Sequence, residues 1–146
     1  MLKIGVTGGI GSGKSTVCRI LENLGVPIFY SDDEARALLN NDKALKADVI
    51  KLFGRDMYDA EGKLDRVRMA TLVFNDSNAL QKLTALVHPK VNDRFNTWIA
   101  KYERFPYVVK EAAILFESGQ YHDLDKIINV FAPKKDRIKR VIARDG

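Results

Sequence analysis

Two rhythms of apolar residues alternate along this chain. Leu2-Lys3-Ile4-Gly5-Val6 is a short, mostly apolar run of strand length. Val17, Ile20, Leu21 and Leu24 then recur at helical intervals, and Gly25 marks a stop. Val26-Pro27-Ile28-Phe29-Tyr30 reads as a second strand ending at Ser31-Asp32, with a helix following over 33–40. Leu45, Val49, Ile50 and Phe53 predict another helix stopped by Gly54, and Asp59-Ala60-Glu61-Gly62 is turn material. Leu80, Leu83 and Val87 line one helix face up to His88-Pro89, where proline predicts a kink or a fresh helix start. Val91, Phe95, Trp98, Ile99 and Tyr102 resume the helical spacing, with Trp98 assigned to the core. Tyr107-Val108-Val109 opens a third strand ending near Glu111. Lys126–Phe131 forms a fourth, ahead of Pro133 and a basic final helix.

Strands alternating with helices predict an α/β fold around a parallel sheet. Residues from about 42 to 105 read as a helical insertion between the second and third strands, within a single domain over 1–146. Such an insertion is expected over the carboxyl edge of the sheet, where open α/β sheets bind ligands. It suits an enzyme that encloses a second substrate.

Composition narrows this picture only a little. With 46% hydrophobic and 29% charged residues, the chain supports a packed core and is not disordered. No apolar stretch reaches the length of a membrane span, and the start lacks the design of a secretory signal. Cys18 is the only cysteine, which excludes an internal disulfide and predicts a reducing cytoplasm. A net charge of +5 raises nucleic acid as a partner. However, the cations are dispersed except for Lys134, Lys135, Arg137, Lys139, Arg140 and Arg144, a set equally suited to a triphosphate. The expected partners are therefore small molecules, neither nucleic acid nor a membrane.

The chemistry is concentrated after the first strand. Gly8-Gly9-Ile10-Gly11-Ser12-Gly13-Lys14-Ser15 satisfies the phosphate-cradling pattern GxxxxGK[ST] in the strand-then-helix context that the pattern requires. Its glycines let backbone N–H groups converge on an anion. Lys14 supplies a point charge for the β- and γ-phosphates, Ser15 a hydroxyl for Mg²⁺, and the following helix its positive end. The expected nucleotide contacts are Gly9, Ile10, Gly11, Ser12, Gly13, Lys14, Ser15 and Thr16. The three-layer α/β/α architecture of the P-loop NTPases follows as the predicted fold class, with the helical insertion as substrate-binding part.

What becomes of the triphosphate is a separate question. Switch GTPases usually read guanine with Asn-Lys-x-Asp, and motor ATPases usually carry an apolar strand ending in paired acids; neither pattern occurs here. A small-molecule kinase plan remains. Phosphoryl transfer needs charge neutralisation, in-line alignment and an acceptor for the attacking hydroxyl's proton. Asp32, at the end of the second strand, reads equally as that acceptor or as a helix N-cap. Glu111 reads as a holder of Mg²⁺ through its waters or as a solvated strand end. Arg140 and Arg144, one helical turn apart, read as phosphate ligands or as an ordinary basic face.

In its layout the chain resembles the dephospho-coenzyme A kinase family. Thr7 through Ser15 spells TGGIGSGKS, and Asp32 to Arg36 gives Asp-x-x-x-Arg. Gly62-Lys63-Leu64-Asp65-Arg66, His88-Pro89 and Ile114-Leu115-Phe116-Glu117 follow in the family's order, and Arg140, Arg144 and Asp145 match its lid. The resemblance implies ATP-dependent phosphorylation of the ribose 3′-hydroxyl of dephospho-coenzyme A, the last step of coenzyme A synthesis, with Mg²⁺ as cofactor. It implies Asp32 as base, Lys14 and Arg140 as neutralisers of the migrating phosphoryl, and Arg144 as a further nucleotide ligand. Arg36, Arg66, His88 and Glu117, with Asp32, would form the acceptor pocket, and residues 133–146 would begin the lid.

Departures accompany the match. Tyr30-Ser31-Asp32 keeps only the second acid of the family's usual Asp-Ala-Asp, Ala113 replaces a proline, and Arg137 stands where glutamine is common. Family members also continue beyond the position of Gly146 with the rest of the lid, another strand and a closing helix. The resemblance therefore predicts weak ATP affinity and low turnover for the 146-residue chain alone. Competing readings are another nucleoside or nucleotide kinase of this architecture, a non-catalytic nucleotide-binding module, and a nucleic-acid binder acting through the basic last helix.

Overall fold

The computed structural model describes residues 1–145. Four strands, β1 (Leu2–Gly8), β2 (Ile28–Tyr30), β3 (Tyr107–Glu111) and β4 (Lys126–Val130), form one parallel sheet in the order β2-β3-β1-β4. From β1 the chain reaches β2 two places away, returns to β3 beside β1, and then crosses to β4 on the other side. The carboxyl end of β1 thus opens where the strand order reverses, the position at which such sheets take ligands. The register aligns Val6 with Glu111, and Glu111 with Tyr30, so the ends of three strands meet along one edge.

Strand lengths depart from expectation at their ends. β1 runs on through Thr7 and Gly8, which pair with Asn129 and Val130. β2 is limited to three residues, because Pro27 just before it has no N–H to give a ladder. β4 ends at Val130 and forms the sheet's edge, which leaves Ile128 at 44% exposure despite its apolar run.

Helix α1 (Lys14–Asn23) packs on the sheet through Cys18 and the half-buried Leu21, against Val6, Val26, Ile28 and Val109. The expected stripe is shifted: Ile20 and Leu24 face solvent, and Cys18 takes the central buried position. Phe29, Trp98 and Tyr102 stack in succession, with ring centroids 5.4 and 4.6 Å apart, and this places Trp98 in packing.

The chain divides into two compact units, Met1–Asp32 with Thr97–Gly146, and Asp33–Asn96. The second is helical, and three of its helices start on an aspartate acceptor. Helix α2 (Ser31–Asn41) begins immediately after β2, two residues before the expected start. In α3 (Lys43–Phe53), Asp42 accepts the Leu45 N–H at 2.8 Å and the Lys90 ammonium at 3.0 Å. In α4 (Arg66–Asn75), Asp65 accepts the Arg68 N–H. Asp76 accepts from Asn78 and Ala79 as α5 (Ser77–Ile99) begins. Such N-terminal acceptors each contribute about 1 kcal/mol.

No fresh helix starts at Pro89; α5 runs unbroken through it for 23 residues. A proline inside a helix costs roughly 3 kcal/mol. Here the buried residues Ala79, Val87, Val91 and Phe95 keep the same spacing on both sides of it, so ending the helix would expose that face. Leu80, expected on the face, lies 45% exposed beside Ala79.

Lys110 on β3 is 2% exposed, and burial pulls its ammonium down to about 8 from its ordinary 10.5. The unfolded chain therefore binds a proton that the folded one lacks between those values, so stability must rise with pH across that window. A shift of one unit corresponds to about 1.4 kcal/mol. Unfolding midpoints measured from pH 7.5 to pH 10 should climb, and Lys110→Met should flatten the curve and be the more stable form at pH 7.5. A wild-type midpoint that falls over this range would contradict the account.

Candidate active site

The loop between β1 and α1 is shaped by what its glycines omit. Gly11 and Gly13 have φ of 75° and 97°, a backbone region that side chains disfavour. The Ser12 N–H donates to the Gly9 carbonyl at 3.0 Å and closes the turn. Gly13 precedes α1 without any side-chain cap, so the first-turn N–H groups of α1 are left to a ligand. Ser15 and Thr16 are exposed on that turn.

Lys14 is turned back toward the sheet, where its ammonium donates to Oε1 of Glu111. Both side chains are nearly hidden, at 14% and 8% exposure. The residues assigned to phosphate and to metal are thus in direct contact. Thr7 Oγ1, one position beyond Val6, donates to the Ala113 carbonyl at 3.3 Å and ties the end of β1 to the chain after β3.

Helix α6 (Lys134–Asp145) lies against the loop. Arg140 Nη1 donates to the Gly11 carbonyl at 3.0 Å, which brings one of the two arginines expected at the nucleotide to the loop. Arg144 forms a two-pronged pair with its neighbour Asp145 at 2.9 and 3.1 Å and contacts nothing in the loop. Ile10 points to solvent at 71% exposure and, with Ile138 and Ile142, borders a cleft of about 270 Å³.

Asp32 sits inside the first turn of α2, two residues past the end of β2, and is half-buried. Among the described residues none hydrogen-bonds its carboxylate, so it does not act as an N-cap. Glu117 is exposed, after β3 in the same unit as the loop. Arg36, Arg66 and His88 belong to the helical unit. Arg36 pairs loosely with Asp33 at 3.4 Å, and Arg66 opens α4 with its side chain exposed.

Among the described residues no group of three His, Cys, Asp or Glu could hold a metal alone. A Mg²⁺ that keeps several waters and shares substrate phosphates needs only one or two protein oxygens, and Ser15 with Glu111 fits that donor set.

A family model for dephospho-CoA kinase matches residues 2–146. The chain belongs to the dephospho-CoA kinase family. Among curated relatives, dephospho-CoA kinase from Chlorobaculum tepidum is 45% identical over 149 residues, covering 98% of this chain and 72% of the relative. The enzyme of that name from Bacteroides fragilis is 37% identical, covering 99% of this chain and 70% of the relative. Protein TT1252 from Thermus thermophilus superposes with a TM-score of 0.83 at 38% identity, over 99% of this chain and 73% of that one. Dephospho-CoA kinase from Campylobacter jejuni gives 0.70 at 29% identity, over 98% and 72%. The α/β P-loop kinase architecture anticipated from the loop motif is therefore the fold of this chain.

Arg137, which the sequence groups with the basic residues suited to a triphosphate but does not mark as an individual nucleotide contact, lies at the loop. Its Nη1 lies 2.5 Å from the place a Cβ on Gly9 would occupy, directly on the loop. Its sequence signals, a place in the basic cluster and a departure from the family's common glutamine, do not separate it from a solvated basic face.

Cys18, beneath the loop, is fully buried, and burial followed by the Glu111 charge pushes its thiol up to about 11. It therefore stays a thiol at neutral pH, and only the thiolate is reactive. Native protein at pH 8 should react negligibly with Ellman's reagent and release one equivalent once unfolded in guanidinium. Immediate reaction of the native form would place Cys18 outside the core.

Proposed function

We propose that this chain transfers the γ-phosphoryl of ATP to the ribose 3′-hydroxyl of dephospho-coenzyme A, giving ADP and coenzyme A. The observation that carries the reading is the uncapped start of α1 with Lys14 held on Glu111, at the sheet edge that also presents Asp32. A charged phosphate chain finds there free N–H groups, a helix's positive end and an ammonium. As the triphosphate settles, Lys14 exchanges the Glu111 carboxylate for phosphate oxygens. Ser15 and Glu111 would then hold Mg²⁺, which supplies charge neutralisation on the phosphates.

Asp32 accepts the proton of the 3′-hydroxyl while the hydroxyl oxygen bonds to the γ-phosphorus and the bond from that phosphorus to the bridging oxygen of ADP breaks. The unpaired, half-buried state of the Asp32 carboxylate supports that role, because a capping carboxylate would already be engaged. Arg140 moves from the Gly11 carbonyl to the migrating phosphoryl, and Arg144 joins it from the next turn. Arg36, Arg66, His88 and Glu117 are assigned to the acceptor by the match of their motifs to the family. A cytoplasmic setting suits a chain whose single cysteine is kept as a buried thiol. No helix among the described residues is long and apolar enough to cross a membrane.

The deciding experiment incubates the purified chain with ATP, Mg²⁺ and dephospho-coenzyme A and identifies the product by mass spectrometry. Nucleosides and shikimate-like alcohols serve as alternative acceptors. A new phosphate on the 3′-oxygen, with no stimulation by the other alcohols, is expected; its absence overturns the assignment. Asp32→Asn should lower turnover by about 10²- to 10⁴-fold, the usual yield of a positioned base, while ATP binding is retained. Unchanged turnover would remove Asp32 from that role. Chelation by EDTA should abolish transfer, and added Mg²⁺ should restore it.

A further inference from the structure

Arg137, at the end of the first turn of α6, touches the phosphate loop with both its side chain and its backbone. Its Nη1 and Cζ lie 2.5 and 3.5 Å from where a Cβ on Gly9 would stand. Its carbonyl oxygen, Cα and carbonyl carbon lie 2.7, 3.1 and 3.2 Å from the same point on Gly11. At position 11 only hydrogen permits this backbone approach, whereas a Cβ at position 9 would displace the mobile end of the Arg137 side chain. Nε is buried without a hydrogen-bond partner, and no carboxylate pairs with the guanidinium among the described residues. Beside it runs a cleft of about 120 Å³ bordered by Gly9, Ser12 and Asn129, where the buried Ser12 hydroxyl also has no partner.

A permanent cation that no carboxylate neutralises is therefore pressed against the outside of a loop whose task is to hold a polyanion. Lys14 cannot supply this in the same way, because in the unliganded arrangement its charge is engaged by Glu111. We propose that Arg137 is a positioning residue for the triphosphate: it fixes the backbone at Gly9 and Gly11 from outside, and its uncancelled charge raises the loop's attraction for phosphate. The proposal deepens the nucleotide reading given above and rests on it. Replacement by glutamine keeps hydrogen-bonding capacity and removes the charge, whereas lysine keeps the charge and loses the planar fork.

The test measures KM and kcat for both substrates, binding of ATP and of inorganic tripolyphosphate by calorimetry, and the melting temperature, on wild type, Arg137→Gln and Arg137→Lys. Arg137→Gln should raise KM for ATP about tenfold and weaken tripolyphosphate in parallel, a loss of about 1.4 kcal/mol. KM for the acceptor, and kcat, should change far less, and Arg137→Lys should recover most of the affinity. If wild type binds both ligands and Arg137→Gln binds them equally well, this proposal alone falls. It falls also if both variants lower the melting temperature and raise KM for the two substrates alike, since that marks a structural role. A wild-type chain that binds neither ATP nor tripolyphosphate overturns the nucleotide reading and this proposal with it.

Discussion

The Lys14 ammonium rests on the Glu111 carboxylate at a sheet edge where both side chains are nearly out of water. Removing one partner of such a pair leaves an uncompensated buried charge, at a cost of about 3–5 kcal/mol. The strands and helix beside the loop are arranged so that this pair is satisfied. The β1–β3 register brings Glu111 level with Val6, and α1 starts close enough for Lys14 to reach it. An anion entering the loop would offer Lys14 a replacement for the Glu111 carboxylate. In the proposed reaction Glu111, once released, would be available with Ser15 to hold Mg²⁺.

The glycines contribute a second constraint that the phosphate motif alone does not explain. Gly13 needs its left-handed backbone to deliver α1, but Gly9 and Gly11 are also surfaces on which α6 lies. Helix α6 contains no buried residue, so its seat depends on the contacts Arg137 and Arg140 make with the loop. Two demands, for converging N–H groups and for close approach of a second helix, therefore act on the same few positions.

These layers differ in how legible they were. The loop, its strand and its helix could be read because the chemistry requires contiguous residue types at fixed spacing. Gly54 and the turn Asp59–Gly62 were equally plain, since each depends on local backbone chemistry. The α1 stripe was misplaced by one position, because Cys18 and Ile20 are both apolar and only the sheet decides which is covered. At Pro89 the fresh helix start is overturned for a related reason: a local cost is outweighed by the burial of Val87, Val91 and Phe95 along one face. The Lys14–Glu111 contact spans 97 residues and Arg137 reaches back over a comparable length, so neither could be inferred from spacing. For the acceptor side, Arg36, Arg66 and His88 carried no local signal of their own, and only the family pattern singled them out.

Arg140 and Arg144 show how far helical phase alone can carry an assignment. Both lie on α6 one turn apart, yet Arg140 reaches the Gly11 carbonyl while Arg144 is occupied by Asp145. The difference follows from what each finds within reach. The Gly11 carbonyl is a neutral acceptor at the loop, which an incoming phosphate oxygen outcompetes because charge-assisted hydrogen bonds are roughly twice as strong. Asp145 is an ionised acceptor held bidentately, and its carboxylate is drawn below its ordinary range by that same hydrogen bonding. Arg140 is consequently free to change partners at small cost, whereas Arg144 must surrender a charged pair. Both residues of that pair are largely exposed, so water screens it and keeps the exchange possible. Arrival of a polyanion would thus draw Arg140 first and Arg144 only as its own charge comes close. That order follows from the strength of the partners each arginine leaves.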